Sequence, residues 1–304
     1  MRLVTNPGTN MSPSVIAAHN IEMLPQQIVV DDVHHDTRAG VRQEVVDQWI
    51  AQAKVHPYVL GTSAAEFAGH LSRLGADDPE LLVIMSSRKI IQSFAACTTA
   101  SKTLAQHPKW THLQIRIVDT GTTDIGAGLA ATYAAEAIAA GFSLDEVFHL
   151  CEQFSAATTV AMAIQNMDNL VKGGRASFLK MWAAKFLGVR PIIAFADGQL
   201  EPVRRYKVKS DPVVALRDWV LESTEASAGG RLWVAASHGG VPEQAEALVV
   251  DLESRADVCH RLVLPTVPSI HLHGGPGSIM VAITDLERLD WLPGAASGRA
   301  STAR

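Results

Sequence analysis

A chain of 304 residues that is 47% hydrophobic and 19% charged has apolar material for one large core or two smaller ones. Its formal net charge of −5, with no block of basic residues interleaved with aromatics, argues against a general nucleic-acid binder. Cys97, Cys151 and Cys259 lie far apart with no CxxC pair, which argues against a disulfide framework and a structural zinc site.

The opening "MRLVTNPGTNMS" lacks an apolar segment of signal-peptide length, and no stretch approaches the roughly 18 uninterrupted apolar residues of a membrane span. A cytoplasmic protein is expected. Short apolar runs predict strands at "RLVT" (2–5) and "QQIVV" (26–30). The crowded "DDVHHDTR" (31–38) suggests a metal site. Adjacent strand residues point to opposite faces, however, so His34 and His35 cannot easily share an ion, and a solvated hairpin is expected. Residues 42–53 carry apolar positions at helical spacing. "YVLGTS" leads into a helix over 64–75, with Gly75 as its stop.

"ELLVIMSS" (80–87) is a continuous apolar run ending in small polar residues, as a buried parallel strand does, and a long helix follows through 105. "LQIRIVDTGTTDIGAG" repeats strand, polar turn and glycine-rich helix start, with the helix expected over 126–140. A further helix follows at 144–157, capped by Ser143 with Glu146 three residues on. This β–α alternation predicts an open, mostly parallel sheet, with the turns "TNPGTN", "GTS", "MSS" and "VDTGTT" along one ligand-binding edge.

The character changes near residue 158. "TTVAMAIQ" reads as a strand, "NMDNLVKGGRAS" as a short helix and tight loop, and "FLKMWAAKFLG" as a helix. Residues 189–210 read as a hairpin turning at Asp197-Gly198. Helix 212–223, strand 232–240, helix 242–254 and strand 261–270 complete the pattern before "HLHGGPG". The division expected is 1–158, 159–292 and a disordered tail, 293–304.

Two glycine loops sit beside cationic residues. In "HGGPG", Pro276 suits the first position of a helix, and Gly274, Gly275 and Gly277 let the backbone approach a ligand. A helix N-terminus there would favour an anion, and His273 would add a donor able to gain charge near neutral pH. In "KGGRAS", Gly173 and Gly174 clear space for Arg175, whose planar fork grips a carboxylate or phosphate. Neither loop matches a Walker or GxGxxG motif.

These motifs, taken together with "GTSAAEF", "IMSS", "IVDTGTTDIGAG" and "GVRPIIAFADGQL", give a chain that resembles the DegV family of bacterial fatty-acid-binding proteins over nearly its whole length. The resemblance implies an α/β protein of two domains: an N-terminal three-layer α/β/α domain with a mostly parallel sheet, and a C-terminal two-layer α/β domain with a mixed sheet. It implies a non-catalytic carrier with no cofactor and no metal. A long-chain fatty acid would lie between the domains and be presented to a partner fatty acid kinase catalytic subunit. Transient contact with a membrane surface is compatible with such a carrier. Carried over by position, Thr62, Arg175 and His273 would surround the carboxylate, with Gly274 and Gly275 beside it, and Lys207 or Lys209 would dock the kinase.

The chain departs from the family pattern in "MSSRKIIQSF" (85–94), where Ile91 stands at the second carboxylate-binding serine and Ser93 could substitute only by a shift of the loop. A lost donor costs on the order of 1–3 kcal/mol, so a different carboxylate or lipid is the alternative ligand. A serine hydrolase built from Ser87 or Ser93, His273 and Asp119 is the remaining alternative, without a G-x-S-x-G elbow to support it. Plainer roles stand beside these. Thr62 could cap the helix after it, Arg175 could be a surface ion-pair residue, and His273 a structural histidine. Ser86 and Ser87 could simply end a strand. Asp119 is expected to accept turn N–H groups, and "SHGG" (237–240) to be a strand-to-helix turn.

Overall fold

A computed structural model describes residues 1–38, 40–175, 188–224 and 230–294. The chain begins with β1 (Arg2–Thr5), α1 (Pro13–Ala18), β2 (Glu22–Met23), β3 (Gln27–Val30), β4 (Val33–Asp36), α2 (Gln43–Gln52) and β5 (Tyr58–Leu60). Next come α3 (Ala64–Asp77), β6 (Glu80–Met85), α4 (Ser93–Gln106), β7 (Gln114–Asp119), α5 (Asp124–Ala139) and α6 (Leu144–Ala156). The remainder is β8 (Thr158–Ala163), α7 (Asp168–Lys172), β9 (Val189–Ala196), β10 (Gln199–Lys207), α8 (Pro212–Ser223), β11 (Arg231–His238), α9 (Pro242–Glu253), β12 (Asp257–Pro265), α10 (Pro268–Gly274) and β13 (Ile279–Asp285).

The first sheet has the order β2-β1-β6-β7, and every pairing is parallel. Along β6 the side chains alternate between two cores. Leu81, Val83 and Met85 pack beneath α3 and α4, while Leu82 and Ile84 meet α5 and α6. A strand buried on both faces needs no polar face, which is why β6 reads as a continuous apolar run. The result is the three-layer arrangement.

The second sheet is mixed, in the order β10-β9-β8-β13-β11-β12, with β11 and β12 parallel and the other neighbours antiparallel. Period-2 alternation again divides its side chains. Ala161, Ala194 and Val281 face the core under α8 and α9, and Met162, Ile193 and Met280 face the other way. That second face is covered by α5. This helix is buried on all sides except near its C-terminus, and it packs against strands of both sheets. Alanine and glycine make the approach feasible: a Cβ at Gly128 would stand 1.7 Å from the Asn10 carbonyl oxygen.

In a small antiparallel sheet, β4-β3-β5, the strands β3 and β4 form the hairpin expected around 31–38, and β5 pairs with the other edge of β3. His34 and His35 point apart on it, as expected. His34 Nδ1 lies 2.8 Å from Gln27 Oε1, whereas the His35 ring rests on Trp49. With α2, this sheet forms a flap whose core, Ile28 and Val46, packs on Leu272 of α10.

Three expectations are corrected. The third helix does not stop at Gly75 but runs to Asp77; the glycine is there because Leu113 lies against it, 2.6 Å from a built Cβ. The strand expected over 261–270 ends at Pro265, since Pro268 opens α10 at its first turn. "HGGPG" therefore lies at the C-terminal end of α10 and in the turn to β13, with Gly275 at φ +68°, so Pro276 begins no helix and the anion argument from a helix N-terminus fails. The helix expected at "FLKMWAAKFLG" lies outside the described residues except for Gly188, and the tail beyond 294 lies outside them entirely.

Candidate functional site

An apolar cavity lies between the carboxyl end of the parallel sheet and one face of the mixed sheet. Its cavity volume is about 50 Å³, and about 530 Å³ of space is free of atoms when the open mouth is counted. Its walls are Met162, Phe195, Leu200 and Met280 from the mixed sheet, Leu170 from α7, Ile270 from α10, and Ile90 from the loop after β6. The polar lining comes from Thr123, Arg175, Thr266, His273 and Ser278. An apolar slot with few polar groups suits an amphipathic ligand, each buried methylene contributing about 0.8 kcal/mol.

Arg175 and His273 line this one cavity. The Arg175 N–H donates to the Leu170 carbonyl at 2.9 Å, closing the turn after α7 through Gly174 at φ +71°. Gly173 is needed for a different reason, because the His273 ring packs directly against it. Gly274 lines the cavity as well. Gly275 instead backs onto Asn169, where its positive φ and the 2.2 Å approach of a built Cβ to Asn169 Nδ2 both require glycine.

His273, expected as a donor able to gain charge near neutral pH, is held uncharged there. Burial pushes its pKa down to about 3, and the positive charge of Arg175 and the nearby His56 push the same way. His273 is a neutral imidazole, and its buried Nδ1 has no hydrogen-bond partner among the described residues. Among the described residues, the positive charge that lines the cavity is that of Arg175.

Thr62 and Ser93 are placed differently, and neither is part of the cavity lining. The Thr62 hydroxyl donates to the Pro25 carbonyl at 2.5 Å, so its one proton is already engaged. The cap of α3 is Ser63, in a capping box with Glu66. Ser93 opens α4 beside the same loop, its Oγ 4.0 Å from a Cβ built on Gly61. Ile91 packs into the core under α3 and α4, while its neighbour Ile90 faces the cavity. Lys207, at the end of β10, and Lys209 are exposed.

The hydrolase residues do not form a triad. Ser87 Oγ donates to the Gly198 carbonyl at 2.6 Å, and Asp119 pairs with Arg88 at 3.0 Å while accepting the Gly121 N–H. Asp119 thus has the turn-holding role expected of it. Among the described residues, no group of three or more His, Cys, Asp or Glu is placed to hold a metal ion, and no helix is long and apolar enough to cross a membrane.

Asp124 was missed. It is fully buried at the start of α5, at φ +51°, and it accepts from Ser237 Oγ of "SHGG" and, at 3.3 Å, from the Val267 N–H. Burial raises its pKa to about 6, against the lowering effect of those hydrogen bonds. The only sequence signal was an aspartate following a polar turn at the sheet edge. Thr123, next to it, could have been found from the same edge rule.

A family model described as "Uncharacterised protein, DegV family" matches residues 1–285. A Thermotoga maritima protein described as a fatty acid-binding protein is 22% identical, covering 95% of this chain and 99% of its own. Among solved structures, a fatty-acid-binding DegV family protein from Thermus thermophilus superposes with a TM-score of 0.83 at 18% identity, covering 94% of this chain and 99% of that one. A DegV family protein from Eubacterium eligens loaded with heptadecanoic acid gives 0.78 at 16% identity, with 94% and 99% covered.

Proposed function

The chain belongs to the DegV family, and from that premise we propose that it is a carrier holding one long-chain fatty acid in this cavity, with the carboxylate at Arg175. One observation carries the reading: a single cavity walled by Met162, Phe195, Leu200 and Met280 is also lined by Arg175 and by a neutral His273 that feels the Arg175 charge. The acyl chain lies between residues 1–158 and 159–292, and the guanidinium meets its head group with charge-assisted hydrogen bonds. Neutral His273 adds a hydrogen bond, and Thr62 and Ser93 contribute hydroxyls from the loop edge once the ligand draws them in.

The carboxylate end is then presented to a fatty acid kinase catalytic subunit that docks at Lys207 and Lys209. Solvent extraction and mass spectrometry of the purified protein test the ligand: a stoichiometric acyl chain is expected, and its absence together with no binding of palmitate on titration overturns the reading. With the kinase added, replacing both lysines by glutamate is expected to leave palmitate affinity intact and abolish acyl-phosphate formation.

A second reading is favoured by Ile90 and Ile91, which place hydrocarbon at the loop where hydroxyl donors are expected. On that reading the ligand is a different amphipathic carboxylate or lipid. Tighter binding of short or branched acids than of palmitate decides for it.

A further inference from the structure

Helix α10 is held from both sides. Ile270, His273 and Gly274 face the cavity, whereas Leu272 enters the flap core and His271 turns to α2. The His271 ring is fully buried, and its Nε2 meets Asp47 Oδ1 at 2.6 Å. One turn earlier on α2, Gln43 spans the end of β11 and the segment after β12. Its Nε2 donates to the His238 carbonyl at 2.6 Å and to the Thr266 carbonyl at 3.3 Å, and its Oε1 accepts the Gly240 N–H at 3.0 Å. The β11 end is itself tied to the far side of the α10 turn, because Gly239 donates to the Ser278 carbonyl at 2.8 Å and accepts from Gly277 at 2.7 Å. Gln43 thus holds the start of the segment that carries Thr266, Ile270, His273 and Ser278 into the cavity and, through the β11 end, its finish, while Asp47 holds its middle at His271.

We propose that Asp47 and Gln43 are positioning residues, which clamp α10 from outside the cavity and so aim the His273 imidazole at the ligand's head group. A carboxylate that accepts from one ring nitrogen of His271 fixes that ring's orientation, and the ring's rigid connection to the next turn passes the constraint on. The ligand touches neither residue. The part played by the head group rests on the fatty-acid reading; the clamp itself does not.

The experiment uses the full chain and the variants Asp47→Asn, Asp47→Ala and Gln43→Ala, titrated with palmitate and with hexadecanol, which lacks the carboxylate. Each variant is expected to lose about threefold to thirtyfold in palmitate affinity with hexadecanol affinity unchanged; equal loss of both means general loosening of the cavity and overturns the proposal. Histidine NMR of the ligand-free protein gives an independent readout. In Asp47→Ala the His273 signals are expected to shift, with a titration midpoint raised from about 3 toward the ordinary histidine range. A moved His273 signal in a protein that binds neither probe upholds the clamp and rejects the fatty-acid reading. An unmoved His273 signal with unchanged affinities rejects the clamp.

Discussion

The His273 imidazole occupies the space where a side chain on Gly173 would be: a Cβ built there stands 2.3 Å from Nδ1 and 2.7 Å from Cε1. Gly173 has an ordinary backbone conformation, with φ −77°, so an alanine would be penalised chiefly by the ring, which stands closer than the Asn169 carbonyl oxygen at 3.0 Å. Gly173→Ala is expected to cost about 1–3 kcal/mol in urea denaturation and to weaken palmitate binding as the ring is displaced. An unchanged midpoint with unchanged affinity shows that the ring is not held.

Arg175 and His273 are expected to separate by chemistry. Arg175→Ala should reduce palmitate affinity by about tenfold to a hundredfold and leave hexadecanol alone, with Arg175→Lys intermediate because an ammonium lacks the planar fork. With a pKa of about 3, His273 stays uncharged between about pH 5 and pH 8 in the ligand-free protein. A His273 titration midpoint near 6.5 in histidine NMR of the ligand-free protein contradicts its neutral state.

The buried carboxyl of Asp124 gives a pH signature of known sign. Unfolded, it titrates near its ordinary value of 3.8; folded, near 6. Between these values the native state holds a proton that the unfolded state has released, so the stability this group contributes is greatest in acid and is lost as pH rises through 6. His56, His238, His260 and His273, all held below their ordinary values by burial, act oppositely: the unfolded chain takes up their protons first, and stability falls as pH drops below about 6.5. The comparison with Asp124→Asn isolates the aspartate, since asparagine tolerates the left-handed backbone. From about pH 4.5 to pH 7.5 the variant should gain on the order of 2 kcal/mol relative to the parent in urea midpoints. A constant difference across that range shows that Asp124 does not titrate there.

At Thr62 one hydroxyl has two claims on its proton. Thr62→Val is expected to cost about 1 kcal/mol through the unpaired Pro25 carbonyl, and Thr62→Ser to restore it. If the hydroxyl also turns to the ligand, palmitate affinity falls in the valine variant alone, and equal affinities place Thr62 outside the head-group contacts.

The elements with a strong period were legible. β6 declared itself by an unbroken apolar run, and α6 by Ser143 with Glu146, whose carboxylate accepts the Ser143 N–H at 2.8 Å. The helix α10 was not, because only two residues separate the end of β12 from Pro268, and "SIHLH" carries too few turns for its period to show. For the site, a guanidinium beside paired glycines was readable as a grip on an anion. The state of His273 was not, since it depends on burial and on a neighbouring charge about a hundred residues away in the chain. Asp124 and Asp47 were hidden for the same reason: their partners, Ser237 and His271, are remote in sequence.

The near-total burial of α5 bears on how the molecule comes apart. Its alanine-rich surface is shared by both sheets, so a fragment ending near residue 158 would present that surface to water and a fragment starting there would lack its cover. Each half keeps a core of its own, under α3 and α4 in one and under α8 and α9 in the other, but the core around α5 is common to both, and melting one sheet strips the other of it. The two halves are coupled through this helix into one cooperative unit, and the slot between them exists only while both are folded.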